Sequence, residues 1–390
     1  MRKRGLTGSF WPSRTQETLM QLALVPGVDV EKTWRGLQPL DLETLEPGTF
    51  ALLPFVYRRL QEAEVPESRL PRLAGIYRSN WVKNQLQVER LSSLLGVLRT
   101  AGIDPLIVGG PAIATHYYAE LGLRPVLQLE LLVSPAEGVG AAAAITKSGW
   151  RPAAGSGARA SRFQDGTGTT SAVLYEGLPE YVLGPVDSST AIAALREAAV
   201  ERPIGGTSAV TLDASDELLL ACALGARRTL APQVQWLVDA HHILTSGEMD
   251  ERRLVDRAQA HRLGHPLGET LTYLSGATAL GITANRILRT LDQQHTSRRA
   301  SLTYRLAANG LGPLGLAPQA LLDHARRSLA EPLPTALLSL PSVMRDAWDL
   351  ERVAQVPPVA ARKVLGRTRR AARASSQSVD AGERSRSASS

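Results

Sequence analysis

The chain is short of the residues that several kinds of chemistry require. Its 390 residues include a single cysteine, Cys222, which excludes an internal disulfide and any multi-cysteine zinc or iron–sulfur centre. Aromatic residues make up 5%, so leucine, alanine and valine have to fill most of the core. No run of apolar residues reaches the roughly 18–20 that a membrane-spanning helix needs. The basic start, Met1-Arg2-Lys3-Arg4, is followed by Thr7, Ser9 and Trp11-Pro12-Ser13, where a signal peptide carries its apolar stretch. A cytoplasmic protein with no membrane partner is the expectation. Charge is scarce too, once it is located. The net +7 is almost all in residues 360–390, which carry eight basic and two acidic side chains, while the rest of the chain has 36 basic and 35 acidic. A tail rich in Arg, Ser and Ala cannot bury a core and is expected to be disordered; contact with an acidic partner is the role such a tail would have.

What is there begins with helices. Ser13 and Gln16 have capping-box spacing, and Leu19, Leu22 and Ala23 recur at helical period. From Arg72 to Arg99, Leu73, Ile76, Tyr77, Trp81, Val88, Leu91, Leu94, Leu95 and Leu98 predict one long amphipathic helix that stops at Ala101-Gly102. The pattern changes at Ile103. Pro105 to Val108 reads as a short strand ending in Gly109-Gly110, Ala112 to Leu121 as a helix, Pro125 to Val133 as a strand and Pro135 to Ser148 as a helix. Arg162–Gln164 and Thr169–Tyr175 read as a hairpin across Asp165-Gly166. Beyond Pro185 the chain is expected to be helical again. The fold class is therefore α+β: an N-terminal tail (1–12), a helical region (13–102), a small mixed-sheet core (103–185), a helical domain (186–352) and the basic tail (353–390).

The chemistry concentrates around Gly109-Gly110 and the strand that follows. A glycine turn that opens a helix lets backbone N–H groups approach phosphate without a Cβ in the way. A strand brings side chains at i and i+2 to one face, ~6.5–7 Å apart, which suits a carboxylate pair holding hard divalent cations. Here Val126, Gln128, Glu130 and Leu132 share one face, and Leu127, Leu129, Leu131 and Val133 share the other, which is expected to be buried. A Gln and a Glu on so apolar a strand call for an explanation.

Residues 14 to about 280 resemble the uncharacterised bacterial nucleotidyltransferase family of the DNA polymerase beta-type superfamily. The resemblance rests on Gly110, Tyr118, Arg124-Pro125, Leu131-Leu132-Val133, Gly149-Trp150 and Trp236-Leu237-Val238-Asp239 in the family's order and spacing. It implies a nucleotidyltransferase fold, a nucleoside triphosphate as ligand, Mg²⁺ as cofactor, Gly109, Gly110 and Arg124 at the nucleotide, and the strand acids as catalytic metal ligands. The departures fall on those acids. Gly109 stands where the family has Lys, Gln128 where it has the first Asp and Glu130 where it has the second; the strand that should bear a third acid reads Ser171-Ala172-Val173. Glu130 is the one metal ligand retained.

Other candidates have plainer roles. Arg124 either clamps a phosphate or stands solvated between helix and strand. Tyr118 is expected in the core, and Asp239 in a hydrogen bond or ion pair with the sheet. His241 and His242 diverge on a helix, and the His261–His265 pair is broken by Gly264 and Pro266. Cys222 lies on an apolar helix face. The Gly155–Gly168 stretch reads as a flexible hairpin loop. Three functions follow: a degenerate nucleotidyltransferase that binds a nucleotide or a protein partner, an active Mg²⁺ enzyme using Glu130 with Glu176 or Asp165, or a scaffold with a vestigial cleft.

Overall fold

In the computed structural model the first helix, α1 (Arg14–Leu24), starts on its capping box: the Gln16 N–H donates to Ser13 Oγ, and the Ser13 N–H to Gln16 Oε1. The structure describes residues 11–292, apart from 38–39, 41, 43–44, 46, 155–158, 179–187 and 226–233, together with a few residues between 341 and 358. The chain divides into two units, Met1–Ser297 and Arg298–Ser390, and the site described below belongs to the first. The extreme N-terminal residues and almost all of the basic tail lie outside the described residues.

Helices α2 (Val30–Arg35), α3 (Leu53–Glu62) and α4 (Leu70–Thr100) complete the N-terminal layer. Only the second half of α4 presents a continuous buried stripe, with Val88, Leu91, Leu94, Leu95 and Leu98 packed on the sheet. Trp81, which the helical period places on that stripe, is 45% exposed, ahead of the part of α4 that packs in the core cluster with the sheet.

Among the described residues the sheet has seven strands: β1 (Leu106–Ile107), β2 (Leu129–Leu132), β3 (Arg151–Pro152), β4 (Ala160–Gln164), β5 (Ser171–Tyr175), β6 (Val200–Ile204) and β7 (Thr207–Thr211), in the order β3-β4-β5-β2-β1-β7-β6. It is mixed: β1 and β2 are antiparallel, while β2 pairs β5 and β1 pairs β7 in parallel. Helices α5 (Gly110–His116), α6 (Gly138–Lys147) and α7 (Ser188–Glu197) are interleaved with the strands. The mixed α+β class thus holds, but the sheet does not end near Pro185. The β6–β7 hairpin adds two strands where helix is expected. Val200-Glu201-Arg202-Pro203-Ile204 hides its strand character behind charge and a proline, which an edge position tolerates. Its turn, Gly205-Gly206, has both φ angles positive, and a Cβ on Gly205 would fall 2.3 Å from Val88 of α4.

The strand expected at 125–133 forms its ladder only over 129–132. Leu127, expected to be buried with Leu129 and Leu131, is 76% exposed, since it precedes the ladder and has no neighbouring strand. Below the sheet the chain continues through α8 (Ala214–Gly225), α9 (Gln235–Thr245), α10 (Glu251–Ala260), α11 (Gly264–Ala277) and α12 (Gly281–Asp292). Helix α8 is buried on every side from Ala214 to Ala223, so its acids Asp216 and Glu217 are inside the protein.

The segment leading into β2 is fixed by one buried side chain. Asn84 of α4 donates from Nδ2 to the Leu121 and Arg124 carbonyls and accepts the Val126 N–H at 2.9 Å. Replacing it orphans three backbone groups, each costing about 1–3 kcal/mol if left buried without a partner. Asn84→Ala is therefore expected to destabilise the protein by about 2–4 kcal/mol in urea unfolding; a loss under about 0.5 kcal/mol would contradict this role.

Candidate functional site

Strand β1 runs through Val108 into Gly109, whose φ of +63° leaves the region favoured by L side chains. Its N–H donates to Glu217 Oε1 at 3.0 Å, and the Gly110 N–H donates to Glu130 Oε2 at 2.9 Å. The two amides that would cradle a phosphate are thus held by carboxylates of the protein. A Cβ at Gly109 would lie 2.4 Å from Glu130 Oε2. Gly109 and the carboxylate of Glu130 are therefore packed as one unit.

Gln128 and Glu130 do share a face. Arg162 Nη1 donates to Gln128 Oε1 at 3.2 Å, Gln128 Nε2 donates to Glu130 Oε1 at 3.2 Å, and the Tyr175 hydroxyl donates to the same oxygen at 3.4 Å. The orientation of the amide follows from its partners: a guanidinium can only donate, so it takes the oxygen, and the acid takes the NH₂. An aspartate at 128 could not make the link to Glu130. Beside Glu130 in the parallel strand stands Val173, fully buried, where a third acid would have to be. The donor set does not fit a pair of Mg²⁺ ions. One amide oxygen faces an arginine, one carboxylate is engaged at both oxygens, and the third place is a valine.

The two other acids are not brought to Glu130. The Glu176 carboxyl lies against Gly138 at the start of α6, three residues past Val173. Asp165 is buried in the β4–β5 turn, where it accepts from Thr167 Oγ1 and the Thr169 and Thr170 N–H groups and pairs with Arg90 at 3.5 Å. Burial opposes its ionisation, but those hydrogen bonds win, and its carboxyl stays below the usual range.

Arg124 is not solvated. It is 8% exposed and donates from Nε and Nη2 to the two oxygens of Asp239, both at 2.8 Å, with Nη1 on the Gly110 and Pro125 carbonyls. The Tyr118 hydroxyl donates to Asp239 Oδ1 at 2.6 Å, and Gln235 Nε2 reaches the same oxygen at 3.0 Å. Burial alone would lower the arginine pKa, yet the Asp239 charge and hydrogen bonds raise it. Burial, then the Asp239 charge, carries the Tyr118 hydroxyl well above its ordinary value. The core tyrosine and the ion pair between α9 and the sheet are as expected; the free phosphate clamp is not, because Asp239 already occupies the fork.

These elements line a half-open cavity of about 280 Å³. Gly109, Gly110, Arg124 and Glu130 line it together with Glu217, Gln235 and Asp239 from the helices, and Leu220, Ala221 and Trp236 add apolar lining. Gln128 is not in the lining. Glu217 is the residue that sequence reasoning overlooks, because Asp213–Glu217 reads as a helix cap. A signal was present: Glu217 precedes Leu220, Ala221 and Leu224 by three, four and seven, on the buried face. Burial first, and then the nearby Glu130 charge, pushes its carboxyl up to about 8 against the Gly109 hydrogen bond.

The remaining candidates stay structural. Among the described residues no group of three or more His, Cys, Asp or Glu is placed to hold a metal ion. His261 caps the end of α10 while His265 opens α11, and burial holds His241 down to about 4. Cys222 is buried, and burial pushes its thiol up to about 12. Residues 155–158 of the Gly155–Gly168 stretch lie outside the described residues. No helix among the described residues is long and apolar enough to cross a membrane.

Comparison with known families matches residues 50–276 to an uncharacterised nucleotidyltransferase family. That is more than half of the chain, and the protein belongs to this family. No curated protein and no solved structure matches it.

Glu217 gives the site a pH signature. A carboxyl raised from 4.5 to about 8 on folding is protonated in the native state and ionised in the unfolded state between those values. Its stabilising contribution is complete below about pH 4.5 and is lost as pH rises to about 8. Glu217→Gln cannot titrate, so the variant is expected to gain on the wild type as pH rises. The difference in Tm should move by roughly 5 °C or more between pH 5 and 8.5. A constant difference would show that Glu217 ionises normally.

Proposed function

We propose that this member of the nucleotidyltransferase family has a degenerate active site, binds a nucleotide or a protein partner in the cytoplasm, and carries out little or no nucleotidyl transfer. The observation that carries this is the Arg162–Gln128–Glu130–Gly110 chain of hydrogen bonds. Two-metal transfer needs anionic oxygen free to bridge cations and a triphosphate, and this chain spends the retained carboxylate on an amide and a backbone N–H. The glycine turn adds support, since its donors are taken by Glu217 and Glu130. The active alternative, with Glu130 joined by Glu176 or Asp165, has the weaker support: one acid lies at α6 and the other is saturated in a turn. The basic C-terminal tail is available for an acidic partner.

The test is a screen with labelled ATP, CTP, GTP and UTP in Mg²⁺, followed by mass spectrometry of acceptors. The wild type is expected to transfer nothing measurable. Gln128→Asp should raise Mg²⁺ affinity in calorimetry without restoring turnover, because Gly109 and Val173 still replace the lysine and the third acid. Robust transfer by the wild type that disappears in Glu130→Ala would establish an active enzyme instead. Absence of any nucleotide binding would leave the protein-partner arm.

A further inference from the structure

The sheet face that carries Gln128 and Glu130 continues onto the edge strands. Glu130 pairs with Val173 and Val173 with Arg162, so these three stand in one row. A neighbouring row runs from Ser171 through Gln164 to Arg151. Opposed residues share a side of the sheet, which puts Arg151 and Arg162 on the Glu130 side at a diagonal, ~7–8 Å apart. The reverse side is closed, with Leu129, Leu131, Phe163, Ala172 and Leu174 buried in the core cluster with α4 and α6. The arginine side is open: Arg151 and Gln164 are exposed, and Gln128, Arg162, Ser171 and Tyr175 are half-buried.

Two guanidinium groups thus stand among neutral side chains, beside one acid, Glu130, whose oxygens are engaged by Gly110, Gln128 and Tyr175. Arginine forks recognise phosphate through paired, charge-assisted hydrogen bonds. Gln128 Oε1 accepts from Arg162 Nη1, and a neutral amide orients that side chain without cancelling its charge, as a carboxylate at 128 would. A triphosphate ordinarily brings Mg²⁺ to such a strand because its own charge has to be neutralised. The donor set around Glu130 does not fit that metal, and here the positive charge is part of the protein.

We propose that Arg162 and Arg151 take the part of the metal ions: this face binds the phosphate chain of a nucleotide, and binds it without Mg²⁺. The inference rests on the functional reading in one respect, that the ligand is a nucleotide. It leaves the Gly109 and Gly110 amides on Glu217 and Glu130, so the phosphates do not need the glycine turn. Glu130 also lines the cavity, and the phosphate face and the cavity therefore meet at that residue.

The test is calorimetric titration of the full chain with ATP, inorganic tripolyphosphate and adenosine at constant ionic strength, in EDTA and again in Mg²⁺. In EDTA, ATP and tripolyphosphate are expected to bind about tenfold or more tightly than adenosine, and Mg²⁺ is expected to leave their affinity unchanged or lower it. Arg162→Gln should weaken ATP about tenfold, and Arg151→Gln, at an exposed and more strongly screened position, about threefold. Lys83→Gln removes an exposed charge from α4 and should leave ATP affinity as it is; thermal melts establish that each variant is folded. Binding that requires Mg²⁺, unchanged affinity in folded Arg162→Gln, an equal loss in Lys83→Gln, or no ATP binding at millimolar concentration would overturn the inference. Mg²⁺-dependent nucleotidyl transfer by the wild type would overturn the functional reading instead, so the two failures are distinguishable.

Discussion

The site is organised by two carboxylates that meet adjacent amides. Glu130 comes from the central sheet and Glu217 from a helix 87 residues later, and they accept from Gly110 and Gly109 respectively. A glycine turn with exposed N–H groups that opens a helix is a ready anion site; here the acceptors are the protein's own carboxyl groups. Most of the local geometry follows. Gly109 cannot carry a side chain, because its φ is positive and Glu130 occupies the space a Cβ would need. Gln128 is suited to its place because it alone bridges a donor, Arg162, and an acceptor, Glu130.

A second pair ties the sheet to the helices behind it. Arg124 and Asp239 are both buried, and each is satisfied at several atoms, which is the condition under which a buried ion pair holds without a net penalty. Removing either partner would strand the other in a low-dielectric interior. The pair also engages the one cation that lines the cavity among the described residues.

Much of this was legible in the residues themselves. The capping box at Ser13, the long helix through Leu91 and Leu98, the glycine turn, the hairpin at Asp165 and the shared face of Gln128 and Glu130 follow from local pattern, which is where sequence carries the most information. Tyr118 and Asp239 had roles that their surroundings suggested. What escaped depends on tertiary context. The β6–β7 edge hairpin is polar and contains Pro203, so its strand identity comes from pairing with β1, far away in the chain. Trp81 and Leu127 obey the right period, but one precedes the part of α4 that packs in the core and the other precedes the paired residues of β2. Glu217 reads as a cap until helix α8 is known to be buried on all sides, and Arg124 reads as a clamp until Asp239 is placed in its fork.

The account turns on whether the turn amides belong to the protein's own acids. Selective ¹⁵N-glycine labelling would follow the Gly109 and Gly110 resonances while Mg²⁺ and inorganic tripolyphosphate are added. If Glu217 and Glu130 hold the two amides, both resonances stay in place through millimolar tripolyphosphate, and Gly109 moves in Glu217→Gln. Large, saturable shifts of both resonances in the wild type would show that phosphate displaces the carboxylates, and would contradict the account.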